Sequence, residues 1–475
     1  MAVSRSLGGR VLASALIAGS CLLSGAQAQY YKIDTVEEIK NAASTLAYDL
    51  MTFYEGNQTG KIPGILPGPP DDGLGDYYWW EGGAMMGTYI DYWHLTGDPS
   101  YNHVIEQGML HQTGPNFDYM PPNHTASLGN DDQGFWGMSA MLAAENKFPN
   151  PPDDQPQWLA LAQAVFHTQA SPERHDDTCG GGLRWQIPLA NTGYDYKNTI
   201  ANACFFNLGA RLARYTKNDT YLNWADKTFQ WLWDVGYINH ETWDVYDGGH
   251  VGHNCTDVNK AQFSYNAALL AHGSAFMYNY TTGSTRAKWE VRTDKLVDGI
   301  LRFFFKDGVA FEVPCEGHGG CTADMLTFKG YTARWLSVVT QLAPFTKEKI
   351  LKTLRTSAEA AVKQCTGPPT GRRCGFYWSK GEFVDPVVDH TTGAGEAMSV
   401  LAAVSSLLIE YADPPATNET GGISRGDYEA GVNSKGPNFE DHKPITGADR
   451  AGAAILTIMV LVGGIGTWGW MSFAD

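Results

Sequence analysis

The chain has 475 residues, 43% of them hydrophobic and 12% aromatic, enough to bury one large core or two ordinary ones. With 34 Lys+Arg against 51 Asp+Glu, its formal charge of -17 repels phosphate backbones, and no basic stripe offsets it. This balance excludes nucleic acid as a partner.

The first predicted element is a secretory signal over residues 1–28. Arg5 and Arg10 precede an apolar run from Val11 to Leu23, and Ala26-Gln27-Ala28 supplies the small residues a signal peptidase needs. The mature chain is expected to start near Gln29. Six Asn-x-Ser/Thr sequons, at Asn57, Asn123, Asn218, Asn254, Asn279 and Asn418, suit a glycosylated secretory product.

From Thr35 to Tyr411 the apolar residues recur at helical spacing, and strand-like alternation is scarce. In the stretch from Tyr221, Leu222, Ala225, Phe229 and Leu232 share one face; after Glu348, Ile350, Leu351, Leu354, Ala361 and Val362 do the same. The spacing predicts twelve helices: 36–54, 82–96, 100–112, 134–147, 156–169, 198–215, 219–234, 262–280, 285–305, 327–342, 346–364 and 394–411. Tight turns near Gly97, Asn150, Asn218, Gly283 and Phe345 recur about every 55 to 65 residues, the length of a helical hairpin plus a long connection. The expected architecture is all-α, an (α/α)6 barrel of six antiparallel hairpins over residues 29–412, with an open helical solenoid as the alternative. Short turns lie at one end of such a barrel and long loops at the other.

The last elements are a polar spacer over 413–450 and an apolar run over 451–475, long enough to span a bilayer. Met471 to Asp475 contain no Lys or Arg to hold a cytoplasmic end, which weighs against a single transmembrane anchor. Small residues around Asn433, Ser434 and Gly436 suit replacement of the tail by a GPI lipid, which places the protein at the outer face of the plasma membrane or in the cell wall. Once Cys21 leaves with the signal, seven of the eight cysteines remain. The expected pairs are Cys365–Cys374, Cys315–Cys321 and Cys179–Cys255, with Cys204 free in a buried helix.

The sequence Asp-Asp-Gln occurs twice. Asp153-Asp154 falls at the short-turn end before the helix around Trp158, where carboxylates cap free N–H groups, and reads as structural. Asp131-Asp132 falls at the long-loop end, where a concave site can form. Asp71-Asp72 reads as a solvated loop, and Asp176-Asp177 as a brace for the Cys179 loop or a substrate contact. The long loops hold aromatic, amide and cationic groups of the kind that stack on and bond to sugars: Trp79, Trp80 and Glu81; Gln133 and Trp136; Arg184 and Trp185; Asn198; Tyr265 and Asn266. Glycoside cleavage needs one carboxylic acid to protonate the leaving oxygen and one carboxylate to attack or to activate water, and adjacent residues suit the ~5 to 5.5 Å separation of a retaining pair. Crowding of like charges raises one pKa, so that one Asp holds a proton while the other attacks. The competing reading is that both cap the helix that follows. No His-Glu-x-x-His occurs and the histidines are scattered, so neither metal nor cofactor is expected.

The stretches LGNDDQGFWGMSAMLAAE, TCGGGLRWQI, GYDYKNTIANACFFNLGARLARYTKNDTY and FKGYTARWLSV resemble the fungal wall-located branch of the mannan endo-1,6-α-mannosidases, glycoside hydrolase family 76. The likeness runs from about Thr35 to Tyr411. It implies the (α/α)6 barrel and a retaining mechanism on α-1,6-linked mannose, with Asp131 as nucleophile and Asp132 as acid/base. It also implies a groove containing Trp79, Trp80, Glu81, Arg184, Trp185, Asn198, Tyr265 and Asn266. Bacterial relatives often read Tyr-Asn-Gln where this chain has Tyr265-Asn266-Ala267, which bears on the acceptor side. For fungal members with this signal and anchor, the resemblance implies a GPI-core mannose glycan as donor and a wall β-glucan as acceptor. Two other classes compete: a non-catalytic glycan-binding wall protein, and an isoprenoid enzyme on a similar toroid. DDQGF lacks the further carboxylate that the second would need to hold Mg²⁺ on a diphosphate.

Overall fold

A computed structural model of the protein describes residues 30–70, 73–432 and 447–473. The predicted signal, the Asp71-Asp72 pair and the attachment region near 433–436 lie outside the described residues. Fourteen α-helices occur among them: α1 Val36–Met51, α2 Trp79–Thr96, α3 Asn102–His111, α4 Asn130–Glu145, α5 Trp158–Ala170, α6 Thr199–Thr216, α7 Asp219–Asp234, α8 Ser264–Tyr280, α9 Gly283–Phe303, α10 Val313–Glu316, α11 Met325–Leu342, α12 Lys347–Lys363, α13 Ala394–Ser405 and α14 Gly447–Phe473.

Six of these, α2, α4, α6, α8, α11 and α13, pack side by side into a closed inner ring, since α13 returns to α2. The remaining long helices α1, α3, α5, α7, α9 and α12 form the outer layer, each against its hairpin partner, with the chain's first helix α1 packed on its last inner helix α13. The molecule is the expected (α/α)6 barrel. The division follows from composition. Inner helices are covered on both sides and are buried almost all round, as in α6, whereas α7 and α12 bury one stripe and leave the other to charge. The ring closes tightly because some inner helices are bare where neighbours press: a Cβ on Gly83 would stand 2.9 Å from the Trp136 indole.

Two differences from the expected boundaries matter for the site. α2 and α4 begin three to four residues earlier than their periodicity suggests, at Trp79 and Asn130. In each, the acidic side chain at the third helical position folds back to accept the N–H of the residue before the helix. Glu81 Oε2 takes Tyr78 N–H at 2.7 Å and Asp132 Oδ2 takes Gly129 N–H at 2.6 Å. Residues that read as loop are thereby placed in first turns.

Every inner helix starts at the long-loop end, so six helix N-termini ring one mouth. Short antiparallel ladders stiffen the loops there: β1 Tyr196–Asn198 pairs with β2 Gly248–His250, and β3 Phe305–Lys306 with β4 Val309–Ala310. Three disulfides join the pairs expected from sequence, Cys179–Cys255, Cys315–Cys321 and Cys365–Cys374, and Cys204 is free and buried.

The stretch from 413 is a spacer only in part. Through Val432 it lies along the domain. Ala416 N–H bonds Glu145 O at 2.8 Å, Ser424 Oγ accepts Leu159 N–H at 2.9 Å, and Asp427 N–H bonds Gln163 Oε1 at 2.7 Å. Its glycines and small residues let it follow α5 closely. Asp153-Asp154 caps nothing: the α5 N-cap is Gln157, and Asp153 instead pairs with Arg425 of this strap at 2.8 Å. α14 is apolar over Arg450–Trp468, long enough to cross a membrane, and none of that window is buried against the domain; the similarly apolar Ala394–Tyr411 is mostly buried in the barrel wall.

Candidate active site

The first turn of α4 is clamped from several sides. Asn130 N–H bonds Trp185 O at 2.8 Å and Ile187 N–H bonds Leu128 O at 3.1 Å, so the entry to the helix pairs with the 185–187 loop. The Asn130 side chain donates to Arg184 O at 2.9 Å and accepts from Arg174 Nη1 at 2.8 Å, while Gln169 holds its carbonyl at 2.7 Å. This leaves the next two residues fixed at the rim. A Cβ on Gly129 would collide with Asp131 Oδ1 and stand 2.9 Å from Asp132 Oδ2. Both carboxylates therefore flank one point, the side of Gly129 where a Cβ would stand, and their two oxygens are close neighbours there.

Around that point lies a cavity of about 550 Å³, within the range of small-ligand sites. Trp80, Phe135, Tyr265 and Phe328 make an aromatic floor: Trp80 tilts against Phe135 at 4.6 Å, and Tyr265 stacks on Phe328 at 3.7 Å. Such faces suit the C–H side of a pyranose. One wall carries Trp185, Asn198, Tyr196 and Asp247. Asn198 Oδ1 also caps α6 through Ala201 N–H at 3.2 Å, and Tyr196 donates to Asp247 at 2.7 Å. Across the ring from α4, at the start of α11, stands Asp324, which accepts the Trp80 indole N–H at 2.9 Å.

The carboxyl groups at this mouth are all harder to ionise than usual. Burial first, and then the charge of Asp132, pushes Asp131 well above the ordinary range. Burial raises Asp132 to about 7; the Gly129 N–H works against that shift and Asp324 adds to it. Asp324 itself is raised by burial to about 6, moderated by the Trp80 bond. The adjacent aspartates are coupled, so their protons come off in steps that belong to the pair. Among the described residues no three His, Cys, Asp or Glu side chains are arranged to hold a metal ion.

Of the residues singled out from sequence, the cavity brings together Asp131, Asp132, Trp79, Trp80, Trp185, Asn198 and Tyr265. Five others do not line it. Glu81 is fully buried behind the wall, serving the start of α2. Gln133 points inward and bonds Asp118 O at 2.8 Å, and Trp136 is sandwiched between Trp79 and Tyr119 at 5.4 Å on each side. Arg184 pairs with Asp176 at 2.6 Å and lies over the Tyr194 ring, so Asp176 braces the loop. Against burial, which raises it, bonds from Lys197, Thr178 and Arg184 hold the Asp176 carboxyl below the usual range. Asn266 is fully buried on α8 beneath the cavity. The reason is helical geometry: in α4 and α8 only the residues facing the mouth reach it, and their immediate neighbours turn into the ring.

The profile of glycosyl hydrolase family 76 matches residues 38–419. This chain belongs to that family. It is 43% identical over 443 residues to the mannan endo-1,6-alpha-mannosidase DCW1 of Saccharomyces cerevisiae, covering 93% of this chain and 94% of that one. It is 41% identical over 446 residues to the mannan endo-1,6-alpha-mannosidase DFG5 of the same yeast, covering 93% and 94%. Among solved structures, Dfg5 from Chaetomium thermophilum in complex with glucosamine superposes with a TM-score of 0.84 at 79% identity, over 86% of this chain and 99% of that chain. An α-1,6-mannanase of Salegentibacter shares the fold at a TM-score of 0.60 and 17% identity, over 78% and 99%. It was solved with α-1,6-mannotriose as an inactive variant in which two consecutive aspartates are replaced by asparagine.

This family 76 chain also has mouth residues that the motifs did not single out: Asp324, Asp247, Tyr196, Phe135 and Phe328. A usable signal existed for Asp324. It immediately precedes an inner helix, the position at which Asn198 and Phe263 also reach the cavity.

Proposed function

We propose that the protein is an extracellular, wall-acting endo-α-1,6-mannosidase or transglycosylase with a retaining mechanism, Asp131 attacking and Asp132 exchanging protons. The observation that carries this reading is the convergence of the two carboxylates on one point at the mouth of an aromatic-floored cavity. Asp131 attacks the anomeric carbon as the glycosidic C–O bond breaks, and Asp132 gives its proton to the departing oxygen. Asp132 then takes a proton from the incoming hydroxyl as that oxygen displaces Asp131. Burial raises both carboxyls above the ordinary range. Positive charge developing on the sugar in the transition state favours the ionised form of Asp131.

The donor under this reading is an α-1,6-mannan or the mannose core of a GPI glycan, and a wall β-glucan is the acceptor when transfer outruns hydrolysis. The apolar, unburied α14 supports a tail exchanged for a GPI lipid at the outer face of the plasma membrane. The fungal mannosidases named above and the family match support the substrate class.

Mass spectrometry of products from a defined α-1,6-mannose or GPI-core glycan, with and without β-glucan, tests the proposal. Free reducing sugar means hydrolysis and a fused product means transfer. Sugar binding with no turnover, and no covalent adduct with an activated mannose-configured inhibitor, would instead support a non-catalytic glycan-binding protein.

A further inference from the structure

Asp324 is a carboxylate without a structural occupation. It stands immediately before α11, where an aspartate ordinarily caps the helix, yet its backbone is already helical and its side chain takes no cap hydrogen bond. No Lys, Arg or His among the described residues forms an ion pair with it. Among the described residues its side chain takes one hydrogen bond, from the indole N–H of Trp80 on Oδ1, and it lines the cavity. The groups that face it are acidic or neutral: Asp131 and Asp132 on α4, Glu81 on α2 and Tyr265 on α8. Trp80 does not need it for placement, because its ring is already packed on Phe135 and Tyr331. A half-buried carboxylate that neither caps nor pairs is poorly solvated, and its compensation arrives with a ligand.

The inner ring runs α2, α4, α6, α8, α11, α13, so α11 is diametrically opposite α4. A sugar ring resting on the aromatic floor with its anomeric carbon toward the aspartate pair turns its far hydroxyls toward Asp324. We propose that Asp324 is a substrate-contacting residue of this site, accepting hydrogen bonds from hydroxyls of the mannose unit held between it and the pair. Its negative charge also disfavours loss of a proton from the pair. The proposal rests on the α-1,6-mannoside reading above.

The test is Asp324→Asn, which keeps an oxygen for the Trp80 N–H and removes the charge, assayed beside wild type on an α-1,6-mannotetraose. Binding of α-1,6-mannotriose is measured by calorimetry and folding by thermal denaturation. The expected result is a melting temperature no lower than that of wild type, and a loss in kcat/KM of about 10 to 100-fold, the scale of a hydrogen bond to a charged group. Trisaccharide affinity falls as well. The alkaline limb of the kcat/KM profile moves to lower pH, because a like charge no longer holds the proton on the pair. An Asp324→Asn enzyme with kcat/KM and affinity within about twofold of wild type and an unmoved limb overturns the proposal. So does a loss of activity that accompanies a lowered melting temperature with the limb unmoved, since that marks a structural role. A wild type that neither cleaves nor binds any α-1,6-mannoside refutes the parent reading and this one with it. An active wild type with an unaltered Asp324→Asn refutes only the role given to Asp324.

Discussion

The carboxylates around the cavity and those toward the short-turn end of the barrel differ in whether a counter-ion accompanies them. Toward the short-turn end, Glu145 meets Arg211 at 2.7 Å with both side chains 2% exposed, and Asp91 meets Arg334 at 2.5 Å. At the mouth Asp131, Glu81 and Glu396 are buried and Asp132 and Asp324 partly so, and none has an ion-pair partner among the described residues. The lower pairs tie inner helices together, and a buried charge with its counter-ion is part of the fold. The upper carboxylates rest on helix N-termini and single hydrogen bonds, an arrangement that becomes worthwhile only when something enters the cavity. The two Asp-Asp-Gln sequences show the same contrast in miniature. One is sealed into the first turn of an inner helix at the mouth. The other is out in solvent, Asp153 being 95% exposed beside Arg425.

The contrast is sharpest in the largest expected effects. Asp131→Asn should lower turnover on the order of 10⁴-fold or more, and Asp132→Asn by about 10² to 10⁴-fold, with the fold retained. Circular dichroism and hydrolysis of an α-1,6-mannoside check both, and substantial residual cleavage would remove these residues from their roles. Gly129→Ala perturbs the pair without touching its chemistry: the new methyl displaces both carboxylates, so activity should drop by about 10²-fold. At the other end Glu145→Ala leaves Arg211 buried and unpaired, with an expected loss of about 3 to 5 kcal/mol in denaturant unfolding. If Glu145→Ala melted like wild type, the division between the two ends would fail.

Much of the fold was legible because it is written in helical periodicity and in tight turns such as Gly97, whose backbone adopts the left-handed conformation. The closure of the ring was legible as well, from the alternation of short turns and long loops. Boundaries at the mouth were not. Asp132 and Glu81 cap their own helices from the third position, so a few residues that lack apolar spacing are helical all the same. The aspartate pair stood out through adjacency and its resemblance to a known motif. Gln133, Trp136 and Asn266 were read as groove residues because they neighbour true ones, and the direction of a side chain on a buried helix is a tertiary property. Asp324 escaped for the converse reason. It sits alone in sequence, and only closure of the ring sets it opposite Asp131.

Raised carboxyls at the mouth make stability depend on pH. Free carboxyls titrate near 4, whereas Asp324 is raised to about 6, Asp132 and Glu396 to about 7, and Glu312 to about 8, each chiefly by burial. From pH 4 to 8 the folded state therefore binds more protons than the unfolded chain, and stability falls as pH rises through that window. Melting temperature should be higher at pH 5 than at pH 8, and Asp324→Asn should flatten the fall. Asp176 acts in the opposite sense. Its depressed carboxyl contributes above the unfolded value, and that contribution is lost as the medium becomes strongly acidic. A melting temperature that rose steadily from pH 5 to 8 would contradict the charge distribution described for the mouth.

The smallest effect belongs to the second Asp-Asp-Gln. The Asp153–Arg425 pair is 2.8 Å long, but the two side chains are 95% and 64% exposed, so water and salt screen it. The strap it touches is held elsewhere, by Ser424 Oγ on Leu159 N–H, Gln163 on Asp427 N–H and the Ala430 carbonyl on His167. Replacing Asp153 and Asp154 together by Asn should therefore change stability by no more than about 0.5 kcal/mol and leave turnover at the wild-type level. The identical double change at Asp131 and Asp132 should by contrast remove activity altogether. Should the Asp153/Asp154 variant lose activity instead, the strap would be coupled to the mouth through α5, which runs from Trp158 beside the strap up to Ala170, next to the residues that clamp Asn130.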